Sequence, residues 1–71
     1  NLDIKSIFKT ILLSNSSKFV LVHNHPSGIA KASKNDFDIT EKIRQASKIM
    51  NVEFLDHIIV ADNSYISCMF N

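Results

Sequence analysis

The chain has 71 residues, of which 45% are hydrophobic and 21% charged, and its formal net charge is +1. That length holds one small domain, and that apolar content argues against disorder. Eight basic residues against seven acidic ones leave no electrostatic footprint for DNA or RNA, and no apolar run is long enough to span a bilayer.

A domain this small buries only about 60% of the surface its unfolded chain exposes, so a disulfide, a metal or a partner is expected to help hold it. The single cysteine, Cys68, has no internal partner for a disulfide, which suits a reducing cytoplasmic compartment. No signal-peptide pattern is present. The chain opens at Asn1 and a helical pattern begins almost at once, so it reads as a piece of a longer protein.

Residues 3–14 form the first predicted helix. Ile4, Ile7, Phe8, Ile11 and Leu12 recur at helical spacing and make a single apolar stripe. Asn15, Ser16 and Ser17 break it. Phe19-Val20-Leu21-Val22 is a continuous apolar run of strand formers, the pattern of a central strand covered on both faces. It leads into His23, which places the histidines at the carboxyl end of a strand, where ligands of open α/β sheets bind. Residues 24–32 are a loop. A second helix is expected from about Lys34 to Met50, with Ile39, Ile43, Ala46 and Met50 as its core stripe, Phe37 as an anchor and Asn51 as its stop. Residues 53–61 read as a strand, Asp62-Asn63-Ser64 as a turn, and Tyr65 to Phe70 as the second arm of a hairpin. One helix between the first two strands points to a crossover. The fold class is therefore α/β, in the order helix, strand, helix, strand, strand. Such a sheet keeps a bare edge, which invites pairing with further sequence or with a second copy as a homo-oligomer.

The chemistry concentrates in His23-Asn24-His25-Pro26-Ser27-Gly28 and Ser33-Lys34-Asn35-Asp36. In an extended segment His23 and His25 point to the same side, Pro26 keeps His25 out of the helical region, and Gly28, the one glycine, can turn the backbone. Two imidazoles and a returning carboxylate suit a divalent transition metal. From spacing alone this stands level with a pair of histidines that merely bond a loop. Ser33 and Asp36 taken alone read first as a capping box at a helix start, with Asp36 also favoured by the helix dipole. The two roles are compatible, because one carboxylate oxygen can serve the cap while the other faces a metal. Lys31 and Lys34 beside a helix start could attract a phosphate, but no glycine-rich cradle supports that. His57 reads as a partly buried histidine bonded to backbone or to Asp56. Cys68 reads as a packed thiol, and Ser67 has no base near it in sequence.

The run from His23 to Gly28, the Ser33-x-x-Asp36 after it, and Asp56-His57-Ile58-Ile59-Val60 together resemble the RadC family of the wider JAMM (MPN-type) metalloprotein group. The resemblance covers most of the chain as a single partial domain, 1–71. It implies a three-layer αβα arrangement like that of cytidine deaminases, with a mixed sheet. It implies His23, His25 and Asp36 as zinc ligands and Ser33 as the hydroxyl that bonds the attacking water or the developing oxyanion. The implied reaction is hydrolysis of an amide or isopeptide bond in an unidentified peptide or protein substrate. The family's active site also uses a glutamate from an early strand. The chain is expected to begin too late to contain it, and neither Glu41 nor Glu53 matches that position. The loop departs from the family pattern too, with Ala32 before the serine and Ile29-Ala30 after the glycine. Three functions follow: a zinc metallopeptidase-type hydrolase whose present residues are inactive alone, a non-catalytic interaction module, and a DNA-repair-associated protein whose DNA contacts lie elsewhere.

Overall fold

A computed structural model describes residues 2–25 and 28–70. The expectations that fell on Pro26 and Ser27 lie outside the described residues. Two helices and a three-stranded mixed sheet follow one another as α1 (Ile4–Leu13), β1 (Lys18–Asn24), α2 (Lys34–Met50), β2 (Glu53–Val60) and β3 (Tyr65–Ser67). The sheet order is β1-β2-β3, with β1 and β2 parallel and β2 and β3 antiparallel, as a crossover followed by a hairpin requires.

Each helix starts and stops where its side chains satisfy loose backbone groups. Asp3 caps α1 by accepting from the Lys5 N–H at 3.1 Å. Ser33 caps α2, and Asn51 ends it in the left-handed region at φ 58°, donating back to the Lys48 and Ser47 carbonyls. Phe8 and Ile11 of α1, Ile43 of α2 and Phe54 of β2 form one buried cluster. Phe8 meets Phe19 edge to face at 6.0 Å, and Phe19 stacks on Phe54 at 5.0 Å. Both helices therefore lie on the same face of the sheet.

The pairing register decides which side chains reach that face. Phe19 pairs with Phe54 but Val20 pairs with Asp56, so Leu55 is skipped and the alternation shifts by one. Phe54, His57 and Ile59 consequently all point to the helices, beside Phe19, Leu21 and His23.

Two expectations are corrected here. Among the described residues strand β1 is an edge strand, not a central one, and only one face is covered: Val20 and Val22 are 48% and 63% exposed. An apolar run records what the strand could bury, not whether a layer lies over it. The third layer that the family resemblance implies is not among the described residues. The last strand also stops at Ser67 instead of Phe70. Beyond it the Cys68 N–H still donates to the His57 carbonyl at 2.8 Å, and side chains then take over. Asp56 Oδ1 accepts from Ser67 Oγ and the Met69 N–H, and Ser67 Oγ accepts from the Phe70 N–H.

No helix among the described residues is long and apolar enough to cross a membrane.

Candidate metal centre

The parallel pairing carries β1 past the end of its ladder to the site. His23 stands opposite Ile59, and the His25 N–H continues the pairing by donating to the Val60 carbonyl at 2.9 Å. The chain then turns. Gly28 takes φ 78°, and a Cβ there would lie 3.2 Å from Asp62 Oδ2 of the β2–β3 turn, so glycine suits both the torsion and the close approach. The loop returns to Ser33 and the start of α2, which brings Asp36 against both histidines.

His25 Nε2 lies 3.2 Å from Asp36 Oδ2, and His23 Nδ1 lies 3.6 Å from Asp36 Oδ1. One donor atom from each of His23, His25 and Asp36 falls within 4.8 Å of the others. The rings of His23 and His25 meet nearly at right angles, with centroids 5.2 Å apart. In a tetrahedral zinc site with bonds of about 2.0–2.1 Å, neighbouring ligand atoms stand roughly 3.4 Å apart. The two nitrogen–oxygen separations lie on either side of that value, each to a different oxygen of Asp36.

Two features of the donors favour a cation over a purely structural cluster. His23 Nδ1 is buried and has no hydrogen-bond partner, which is costly for a polar atom unless something unseen satisfies it. The Asp36 carboxylate is divided between two tasks. Its Oδ2 accepts from the Ser33 N–H at 2.8 Å and from Ser33 Oγ at 2.9 Å, while Ser33 Oγ accepts from the Asp36 N–H at 3.1 Å. Oδ1 receives no hydrogen bond among the described residues, so the capping box leaves one oxygen open toward His23, while His25 stands against Oδ2. Burial alone would raise the Asp36 carboxyl, but the Ser33 N–H, the Ser33 hydroxyl and the two imidazoles outweigh it and hold the group below its usual value.

Ser33 Oγ gives its one proton to Asp36 in this geometry. Replacing Ser33 with alanine removes the cap and one of two hydrogen bonds to Oδ2. We expect a loss of about 0.5–2 kcal/mol in urea denaturation, with Ser33→Thr close to the parent. An unchanged midpoint for the alanine variant would show that the cap contributes nothing.

The other acidic and nucleophilic candidates lie apart from this cluster. Glu41 pairs with Arg44 and Gln45 on the exposed side of α2, and those hydrogen bonds hold its carboxyl at about 2. Glu53 pairs with Lys18 at the far end of the strands from His23. Lys34 is engaged by Asp38 at 3.0 Å. Cys68 is buried, and burial pushes its thiol up, away from the thiolate a nucleophile needs. A cleft of about 280 Å³ lined by His25, Ile29, Lys31, Ala32 and Ser33 opens beside the donors. A larger one of about 580 Å³, lined by Ser17, Arg44 and Glu53 among others, shares no residue with them.

His57 departs from expectation. It has no exposed surface, and its ring Nδ1 lies 2.7 Å from Thr40 Oγ1; only its backbone N–H bonds Asp56. Burial lowers its pKa. Thr40 was not singled out from the sequence at all. The available signal was its spacing: Asp36, Thr40, Ile43 and Ser47 recur at helical intervals on the buried side of α2.

A mixed α/β unit thus brings His-x-His at a strand end together with a serine-capped aspartate, a group that could hold a metal. The family model described as "RadC-like JAB domain" matches residues 1–70. The chain belongs to that family. It is 41% identical over 63 residues to a UPF0758 protein of Methanosarcina acetivorans, covering 89% of this chain and 28% of that protein. A UPF0758 protein of Shouchella clausii is 44% identical over 63 residues, with 89% and 27% covered, and one of Legionella pneumophila is 43% identical with 89% and 28% covered. The chain thus spans little more than a quarter of the length of the curated relatives it matches.

Proposed function

We propose that this chain is the metal-holding part of a zinc-dependent hydrolase acting on amide or isopeptide bonds. The observation that carries the reading is the convergence of His23, His25 and Asp36 with an unpartnered, buried imidazole nitrogen among them. Imidazole nitrogens with one carboxylate are a zinc donor set of the open, three-ligand kind. A zinc ion held there would supply Lewis acidity toward a carbonyl and lower the pKa of a water from 15.7 to about 7.

The chain's own residues do the remaining work. His23 and His25 are fixed by the strand ladder, and Asp36 by the capping box. Ser33 keeps Asp36 Oδ2 through its N–H, which frees its hydroxyl to turn toward a carbonyl oxygen that gains charge during attack. The cleft between His25, Ile29 and Ser33 admits an extended substrate to that side of the cluster. No further carboxylate joins the cluster among the described residues. A missing general base typically costs about 10²–10⁴-fold in rate, so these residues alone are expected to hydrolyse little or nothing.

The test is zinc content after purification without an affinity tag. We expect close to one equivalent, lost in the double variant His23→Ala, His25→Ala. A folded chain that retains less than about a tenth of an equivalent at micromolar zinc overturns the reading.

A second reading, a non-catalytic interaction module, draws on the bare apolar face of the sheet at Val20 and Val22. Partner binding that survives in the same double variant, with zinc gone, would favour it.

A further inference from the structure

His57 and Thr40 belong to neither the donor set nor the main apolar cluster, yet both are buried at the centre of the molecule. Thr40 Oγ1 lies 2.7 Å from the Asp36 carbonyl oxygen and 2.7 Å from His57 Nδ1. A carbonyl only accepts, so the one hydroxyl proton of Thr40 goes to Asp36. His57 Nδ1 must then be the donor to Thr40, so the ring carries a proton on Nδ1. Its Nε2 is buried and without a partner. The other contact of this ring is with a donor residue: His57 stacks on His23 with centroids 5.8 Å apart and planes 21° from parallel.

One side chain therefore touches both elements that bring the donors together. Through Thr40 it grips the backbone of Asp36 on α2, and through its ring face it backs His23 on β1. Folding alone gives no reason for this choice. An unpaired buried acceptor costs about 1–3 kcal/mol, and an apolar pair of similar shape at these two positions would avoid that.

We propose that His57 and Thr40 are positioning residues for the metal centre, setting the orientation of the His23 ring and the placement of Asp36 relative to it. This rests on the zinc reading above. Residues that orient ligands from behind typically contribute 10–100-fold in metal affinity.

The experiment compares the parent chain with the double variant Thr40→Val, His57→Phe and with Thr40→Ser. Zinc affinity is measured by competition with a chromogenic chelator. The ligand-field spectrum is recorded with Co²⁺ as the probe, and stability is measured in urea without metal. We expect the double variant to match or exceed the parent in metal-free stability, to bind zinc about 10–100-fold more weakly, and to show an altered Co²⁺ spectrum. Thr40→Ser, which keeps the hydroxyl, should bind like the parent. Parent-like affinity and an unchanged Co²⁺ spectrum in the double variant overturn the proposal and leave the zinc reading intact. A double variant that loses stability but not affinity does the same, because it assigns the pair to packing.

A long-range ¹H–¹⁵N spectrum of the metal-free parent supplies a check that needs no zinc. The His57 ring should be protonated on Nδ1. Protonation on Nε2 breaks the link to Asp36 and overturns the proposal directly. If instead the parent binds no zinc, the metal reading fails first, and it takes this proposal with it.

Discussion

Replacing Ile43 with alanine is expected to cost about 2–5 kcal/mol and to leave much of the chain unfolded at room temperature. Ile43 has no exposed surface and sits where α1, α2 and β2 meet, against Phe8, Ile11 and Phe54. At about 0.05–0.15 kcal/mol per residue, a 71-residue chain has roughly 4–11 kcal/mol of stability in all. A sheet covered on one face only belongs toward the lower end of that range, so one truncation removes half of it or more. Far-ultraviolet circular dichroism against urea reads the effect. Leu13→Ala is the control, because Leu13 is 77% exposed and its loss should stay within about 0.5 kcal/mol. Zinc should offset part of the damage, since a ligand at 100 times its Kd adds about 2.7 kcal/mol to the folded state. A midpoint for Ile43→Ala equal to the parent's would mean that α2 does not pack where the structure puts it.

The same residue shows what the sequence does reveal. Ile43 stands in a stripe with Ile39, Ala46 and Met50, and helical spacing alone puts it at the core, although Met50 at the last turn is 46% exposed. The ends of α2 were legible for a different reason: Ser33 and Asn51 are side chains that can satisfy loose amides or adopt a left-handed torsion, and both do so. The approach of Asp36 to the two histidines was legible because a short loop with one glycine joins a strand end to a helix start. Strand β1 was not. Phe19-Val20-Leu21-Val22 looks alike whether or not a layer covers its second face, since that information lies in other parts of a fold. Thr40 and Ser47 were hidden by their polarity. Each donates its hydroxyl to the carbonyl four residues earlier, Thr40 to Asp36 and Ser47 to Ile43, so each enters the interior with its hydrogen bond already made. His57 was placed on the correct face by alternation, but its partner sits 17 positions earlier on another element, beyond the reach of any local pattern.

Asp36 offers the sharpest separation of fold from metal chemistry. An asparagine there can set its side-chain oxygen where Oδ2 now accepts from the Ser33 N–H and hydroxyl. Its NH₂ group then occupies the position of Oδ1, 3.6 Å from the unpartnered His23 Nδ1. The cap is kept, and metal-free stability should stay within about 1 kcal/mol of the parent. The anionic donor is gone, however, and an amide nitrogen has no lone pair to give a cation. Zinc affinity should therefore fall further than the roughly 10–100-fold typical of changes behind the ligands, and the zinc-dependent rise in Tm should vanish. Asp36→Ala makes the contrast, because it takes the acceptor from the Ser33 N–H and hydroxyl and should also lose about 0.5–1.5 kcal/mol without metal. Calorimetric zinc titration beside thermal melts separates the two variants. If Asp36→Asn binds zinc as tightly as the parent, the carboxylate is a helix cap alone, and the two histidines would need another third donor.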